Sequence, residues 1–452
     1  MPPRRSLLPL AFSLLLSLTA AATAAAASAA PAPKPNIVYI LADDLGYADA
    51  GFNGGTDIKT PHLDQLARDG ANLKSFYAQP VCSPTRAALL TGRYPSHTGV
   101  YGVVRPHAPW GLPLAERTLP HALRDVGYET ALVGKWHLGE SDAAYRPTRR
   151  GFDHQYGLWF GNVDYFTHLR DGVLDWHHND EPSHDEGYTT HLIAHEATRR
   201  IREKKPGQPL FLYVAFNAVH DPLQVPDRYL VPYAHLEGAR RTYAGMLAAM
   251  DEGIGQILAA LDQAGLRENT LVIFSGDNGG PQPGKITSNG PLRAGKGTLY
   301  EGGVRVCASA RWPGRIPAGS VIDEPLHIVD WFPTLLKLAA APAAQPLPVD
   351  GRDVWPLLTQ GAKSPHAALL LCGTQPGVAA IRAGDWKLHV GAGGKKGSGQ
   401  VELYDLARDL SEKNNLAATH PEKVRELRAH FDRFQKTAVP SGEKPVAAAK
   451  KK

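Results

Sequence analysis

The sequence predicts an α/β protein built on a large mixed, mostly parallel β-sheet flanked by helices, with a smaller C-terminal α+β subdomain. Three observations lead there. Residues 36–41, 130–133, 210–215 and 271–274 are continuous apolar runs, the pattern of strands buried on both faces of a parallel sheet. Stretches with helical spacing lie between them, and strands alternating with helices define an α/β sheet. After residue 340 the pattern changes to short strand-like pieces and one terminal helix.

Composition agrees. A chain of 452 residues that is 43% hydrophobic and 21% charged is an ordinary folded protein, which excludes a disordered tail, a collagen and a disulfide-stapled miniprotein. The formal net charge of +5 does not describe the body. Arg4 and Arg5 lie in an N-terminal leader, and Lys450, Lys451 and Lys452 lie at the other end. The remainder is near neutral, so no nucleic-acid partner is expected.

Taken in order, residues 1–30 read as a signal peptide. Arg4-Arg5 supply a positive start, Leu7 to Leu18 an apolar core, and Ala27-Ser28-Ala29 a small-residue cleavage site. That core is too short to favour a membrane span, and no later stretch is long and apolar enough to be one. The mature protein is therefore expected to be exported, periplasmic or secreted, with no membrane span. The general export route fits, and the Arg pair leaves a twin-arginine route open.

Residues 35–340 carry the main sheet. The first apolar run ends at Asp43-Asp44, and Thr60-Pro61 open a helix that Gly70 closes. The run 130–133 leads to Lys135 and His137, the run 210–215 to Asn217 and His220, and the run 271–274 to Asp277 and Asn278. Helical spacing returns at 243–264. Ligands of open α/β sheets gather at the carboxyl ends of the strands, where each of these polar groups falls.

An Ala/Pro-rich linker spans 339–348. Residues 349–438 form the subdomain, with strand-like pieces at 380–382 and 386–390 around a Gly/Lys-rich loop at 391–399. An amphipathic helix follows at 421–435, then a flexible Lys-rich tail at 439–452.

Cys82, Cys307 and Cys372 are an odd number, so at least one is free, modified or paired with another chain. Cys82 stands in Cys82-Ser83-Pro84-Thr85-Arg86, which continues to Leu90-Thr91-Gly92-Arg93. Ser83 suits an N-cap and Pro84 a first helical residue, which puts Cys82 just before a helix running to about Gly92. A helix start turns free backbone N–H groups toward an anion at residue 82, and Arg86 adds a permanent cation.

The constellation resembles the sulfatase family, whose signature is Cys-x-Pro-x-Arg followed by Leu-Thr-Gly-Arg. Asp43-Asp44-Leu45-Gly46, Gly134-Lys135-Trp136-His137-Leu138-Gly139, Asp277-Asn278-Gly279-Gly280 and Gly295-Lys296 through Glu301-Gly302-Gly303 match it in the same order. The likeness extends to Glu402-Leu403-Tyr404-Asp405-Leu406, and it implies an alkaline-phosphatase-like fold. Pro147-Thr148-Arg149-Arg150-Gly151-Phe152-Asp153, Val219-His220-Asp221-Pro222 and Tyr243-Ala244-Gly245-Met246 resemble the arylsulfatase B branch, the N-acetylgalactosamine 4-sulfatases. That branch implies a sulfated carbohydrate substrate, such as a galactosamine or galactan sulfate.

The resemblance further implies that a formylglycine-generating maturase oxidises Cys82 to formylglycine. The hydrate of this aldehyde would attack sulfur and carry a transient covalent sulfate. Asp43, Asp44, Asp277 and Asn278 match metal ligands, together with residue 82. Oxygen donors suit Ca2+, with Mg2+ as the alternative, and disfavour zinc. Arg86, Lys135 and Lys296 match the cations that neutralise sulfate oxygens. His220 matches the proton donor to the leaving oxygen, and His137 the group that helps expel sulfate.

Three cysteines cannot reproduce the disulfide set of the animal branch, so Cys307 and Cys372 are read as buried thiols. Segments 101–110 and 171–185 are expected to shape the sugar pocket. Trp159, Asp164, Tyr165 and Trp176 are the substrate-binding candidates, with core packing the competing reading for the aromatic rings. Two other functions stay open: a phosphonate or phosphate ester hydrolase of the same superfamily, and a non-catalytic glycan-binding relative.

Overall fold

Ten strands form the central sheet of the computed structural model, which describes residues 1, 33–391 and 401–443. The expected leader, nearly all of the Gly/Lys-rich loop and the last residues of the expected tail lie outside the described residues. In chain order the strands are β1 (Asn36–Ala42), β2 (Ala71–Leu73), β3 (Glu129–Gly134), β4 (His154–Gly157), β5 (His177–His178), β6 (Glu181–Pro182), β7 (Leu210–Ala215), β8 (Thr270–Gly276), β9 (Ala308–Arg311) and β10 (Ser320–Ile322). Their spatial order is β10-β2-β9-β8-β1-β7-β3-β4-β5-β6. The five strands β8, β1, β7, β3 and β4 run parallel. Antiparallel neighbours on both sides make the sheet mixed.

The apolar runs are continuous because both faces of the sheet are covered. Successive side chains of a strand point to opposite faces. Ile37, Tyr39 and Leu41 of β1 pack into one core with helices Cys82–Thr91 and Trp331–Leu338. Val38, Ile40 and Ala42 pack into a second core against helices Thr189–Arg202 and Gly238–Gln263. These helices are labelled α1 (Pro61–Arg68), α2 (Cys82–Thr91), α3 (Thr189–Arg202), α4 (Gly238–Gln263) and α5 (Trp331–Leu338). α4 begins ahead of the expected residue 243, because its first turn is exposed or half-buried and carries no apolar periodicity.

Register places the site. Ala42 pairs with Gly276, Leu41 with Ala215, and Ala215 with Gly134. Four parallel strands therefore end at one level, and the polar residues that follow them converge.

The C-terminal part adds an antiparallel sheet of β11 (Leu369–Cys372), β12 (Ala379–Ala383), β13 (Trp386–Val390) and β14 (Glu402–Asp405). Helix α6 (Pro421–Gln435) buries Leu427 and Phe431 in the first core. Beyond it, the backbone N–H groups of Val439 and Gly442 donate to the carbonyls of Ser96 and Gly99.

Candidate active site

Apart from Lys296, which lies on irregular backbone, each site residue is held just past the end of a strand or at the start of a helix. β1 delivers Asp43 and Asp44, the latter turned at a φ of 62° that an aspartate tolerates. β8 delivers Asp277 and Asn278, β3 delivers Lys135 and His137, and β7 delivers Asn217 and His220. The turn after β3 needs glycine: Gly134 has a φ of 116°, and a Cβ there would lie 1.9 Å from the Ala215 carbonyl oxygen.

Helix α2 starts at Cys82 itself, with Val81 as N-cap. This corrects the expectation that Ser83 caps the helix. The Ser83 hydroxyl instead accepts from the Val104 N–H at 3.0 Å, which ties α2 to segment 101–110. Thr85 takes over the fastening. Its hydroxyl accepts from the Gln79 N–H at 2.9 Å and donates to the Asp277 carbonyl at 2.6 Å, joining α2 to the end of β8. Sequence reasoning missed Thr85, although its place inside the Cys82 motif marked it. The helix ends at Gly92 in the left-handed conformation, as expected.

The charges interlock. Arg86 is fully buried and bonds Asp277 at 3.0 Å, Asp43 at 3.4 Å and the Lys135 carbonyl at 3.0 Å. Lys135 pairs with Asp43. Lys296 bonds Asp44 at 2.7 Å, and Asn278 donates to the same carboxylate at 2.7 Å. His220 places Nε2 3.6 Å from Asp44, while its Nδ1 lies 2.7 Å from the Asp221 carbonyl. The His137 ring packs against Gly161, where a Cβ would come within 2.7 Å of Cε1.

Burial and charge set the protonation states. Burial alone would raise Asp43, but Lys135, with His220, Arg86 and Lys296, holds it below the usual carboxylate range. Burial and the adjacent Asp43 push Asp277 up. Burial, reinforced by Lys135 and Arg86, holds His137 far below the ordinary histidine value, so its imidazole is neutral. Burial likewise pushes the Cys82 thiol up, against the pull of Lys135 and Lys296, which keeps an unmodified Cys82 a weak nucleophile.

The acidic cluster can hold a metal ion. Asp43, Cys82 and Asp277 offer ligand atoms within 4.8 Å of one another. Asp43 Oδ1 and Asn278 Oδ1 are buried with no hydrogen-bond partner. A buried acceptor left unpaired is costly, and a hard cation would satisfy both oxygens.

The substrate-binding candidates adjoin the site, with their side chains engaged in contacts within the protein. Trp176 and Tyr165 are fully buried, so neither offers a ring face to a sugar. Trp176 stacks on His168, and the Tyr165 hydroxyl donates to the carbonyls of Asn217 and His220 at 2.8 Å each, bracing the His220 turn. Asp164 accepts from the N–H groups of Phe166 and Thr167 and from Gln224. Trp159 is 6% exposed and stacks on His177 with centroids 3.5 Å apart. Core packing, the competing reading for the aromatic rings, describes Tyr165 and Trp176. Cys307 and Cys372 are free and buried.

A mixed α/β sheet converges acids, cations and a buried cysteine on its strand ends, an arrangement that suits an anionic ester. The sulfatase family profile matches residues 35–341, and the chain belongs to that family. It is a sulfuric ester hydrolase. Arylsulfatase J from Mus musculus is 37% identical over 90% of this chain and 76% of its own length. Arylsulfatase A from Homo sapiens is 36% identical over 87% and 86%, and N-acetylgalactosamine-6-sulfatase from Mus musculus is 36% identical over 79% and 72%. Among solved structures, that of Ps i-CgsB in complex with k-i-k-neocarrahexaose is similar with a TM-score of 0.84 and 33% identity, covering 90% of this chain and 94% of that one. The phosphonate monoester hydrolase of Agrobacterium radiobacter shares the fold, with a TM-score of 0.67 and 21% identity. No helix of the described residues is long and apolar enough to cross a membrane.

Proposed function

We propose that this sulfatase removes sulfate from a sulfated carbohydrate, a galactosamine or galactan sulfate, in the periplasm or outside the cell, with formylglycine at residue 82 and Ca2+ in the acidic cluster. The carrying observation is the convergence of Asp43, Asp44, Asp277 and Asn278 with three cationic side chains around Cys82. The identities of 36–37% to arylsulfatases J and A and to N-acetylgalactosamine-6-sulfatase are too even to choose a branch. An oligosaccharide complex of a 33% identical structure supports a carbohydrate.

Asp43, Asp44, Asp277, Asn278 and residue 82 would hold the cation, which supplies Lewis-acid polarisation of a sulfate oxygen. A hydrated aldehyde at residue 82 supplies a geminal diol, whereas the buried thiol supplies little thiolate. Arg86 and Lys135 neutralise sulfate oxygens, and because both side chains are fully buried each charge acts strongly. Lys296 and His220 both reach Asp44 from the more open side, and there they stabilise and protonate the departing sugar oxygen. His137, neutral and with a buried, unpartnered Nδ1, accepts a proton when sulfate is released.

The test is the mass of the tryptic peptide Ser75–Arg86 from active protein made beside a formylglycine-generating maturase. An aldehyde in place of the Cys82 thiol is expected. Full activity with an entirely unmodified thiol refutes the proposal.

A further inference from the structure

We propose that the C-terminal sheet acts on catalysis by clamping the segment that carries Lys296, and that Arg293 is the positioning residue of this clamp. The inference rests on the reading that Lys296 acts on the sulfate ester.

Lys296 lies on irregular backbone between residues 293 and 300, so no ladder or helix fixes its position. Its Nζ must nevertheless stay 2.7 Å from Asp44 at the site. Contacts from outside the segment do the fixing. On one side, Arg293 Nη1 donates to the Glu412 carbonyl at 2.6 Å and to the Tyr404 hydroxyl at 3.1 Å. The same guanidinium lies 3.8 Å from the centre of the Tyr300 ring. The Tyr300 and Tyr404 hydroxyls both donate to Glu402, at 2.8 and 2.9 Å.

On the other side, Glu301 is held twice. Its backbone N–H donates to Glu412 Oε2, and its carboxylate accepts from Lys387 Nζ at 2.8 Å. His389 Nε2 lies 2.9 Å from Glu412 Oε1. β13, β14 and the turn at Glu412 thus grip both ends of the segment. The Gly302 N–H closes it by donating to the Arg293 carbonyl at 2.9 Å. Midway, the Gly297 N–H donates to the Pro80 carbonyl at 2.8 Å, which references the segment to the residues just before Cys82.

Arg293 separates positioning from folding. Glu301, Lys387 and Glu412 are buried, and removing any of them disturbs the core. Arg293 is half-buried and spans two C-terminal acceptors plus an aromatic face. A lysine ammonium cannot reproduce that planar fork and stack.

The experiment compares wild type, Arg293→Ala, Lys296→Ala and the double variant on two sulfate esters, one with an acidic phenol and one with a sugar alcohol as leaving group. A displaced Lys296 costs most where the leaving oxygen most needs help. Arg293→Ala is expected to lower kcat about tenfold on the sugar ester, with a smaller loss on the aryl ester and an unchanged melting temperature. The double variant should be no slower than Lys296→Ala, and Arg293→Lys should not restore the rate. Losses that multiply, equal losses on both esters, or a wild-type rate in Arg293→Ala overturn the clamp. An unchanged rate in Lys296→Ala overturns the underlying reading as well, so the two failures are distinguishable. If Arg293→Ala does not fold, Tyr300→Phe, which deletes one hydroxyl bond to Glu402, must show the same leaving-group signature in weaker form, and its absence overturns the clamp.

Discussion

Replacing Glu301 with Gln probes the buried ion network that joins the catalytic sheet to the C-terminal sheet. The Glu301 carboxylate accepts from the Tyr77 hydroxyl at 2.7 Å and from Lys387 at 2.8 Å, and it pairs with Arg305 at 3.3 Å. Gln preserves the shape and opens no cavity, so the change isolates the charge. It also turns one acceptor oxygen into an NH2 group facing a donor. Breaking a buried ion pair costs about 3–5 kcal/mol. Lys387 keeps Glu412 at 3.1 Å, which places the cost at the low end, about 3 kcal/mol.

For a chain of this size that is a fall in melting temperature of roughly 3 °C at pH 7. The pH dependence has a definite sign. Burial alone would raise Glu301, but Lys387, Arg305 and Arg382 hold it below the ordinary value of 4.5. Its contribution is therefore fully present above 4.5 and disappears as pH falls through the lower folded-state value. Thermal unfolding of both proteins from pH 7 downward reads this directly. The gap between them should be full at neutral pH and narrow below about 4.5. Equal melting temperatures at pH 7, or a gap that widens on acidification, would show that the Glu301 charge does not stabilise the fold.

Three further outcomes are expected. Lys135→Met removes a fully buried ammonium beside Asp43 and should lower kcat by on the order of a hundredfold or more; aryl sulfate turnover checks it, and a loss under tenfold counts against a catalytic Lys135. Dialysis against a chelator should abolish turnover, with Ca2+ restoring it, and full activity in metal-free protein contradicts the metal reading of Asp43 and Asn278. Trp176→Phe should cost about 1–3 kcal/mol of stability and leave KM unchanged, because the ring is fully buried; a raised KM would return Trp176 to the substrate.

The long buried strands were legible in the sequence because both of their faces are apolar, so β1, β3, β7 and β8 announce themselves and their polar ends mark the site. β2, β9 and β10 were not, since strands of three or four residues give too short a pattern to tell from a loop. Strand order was also hidden: no local feature says that β8 lies beside β1 although Thr270 is far along the chain from Asn36. Within the site, Cys82, Arg86, Lys135 and Lys296 were readable from their motifs. Ser83 was misjudged because capping propensity is local, whereas its hydroxyl is claimed by Val104. For Tyr165 and Trp176 the sequence left core packing and sugar binding open, because aromatic side chains suit both equally and tertiary packing alone decides between them. The contacts of Arg293 with Tyr404 and Glu412 join segments more than a hundred residues apart, beyond any periodicity.

In the proposed function, residue 82 performs the release of sulfate from a glycan. Its most direct test is sulfate release from defined sulfated galactosamine and galactan oligosaccharides by wild type and by Cys82→Ala of equal melting temperature. The wild type should release sulfate from at least one of them and Cys82→Ala from none. Undiminished release by Cys82→Ala would contradict that role of residue 82.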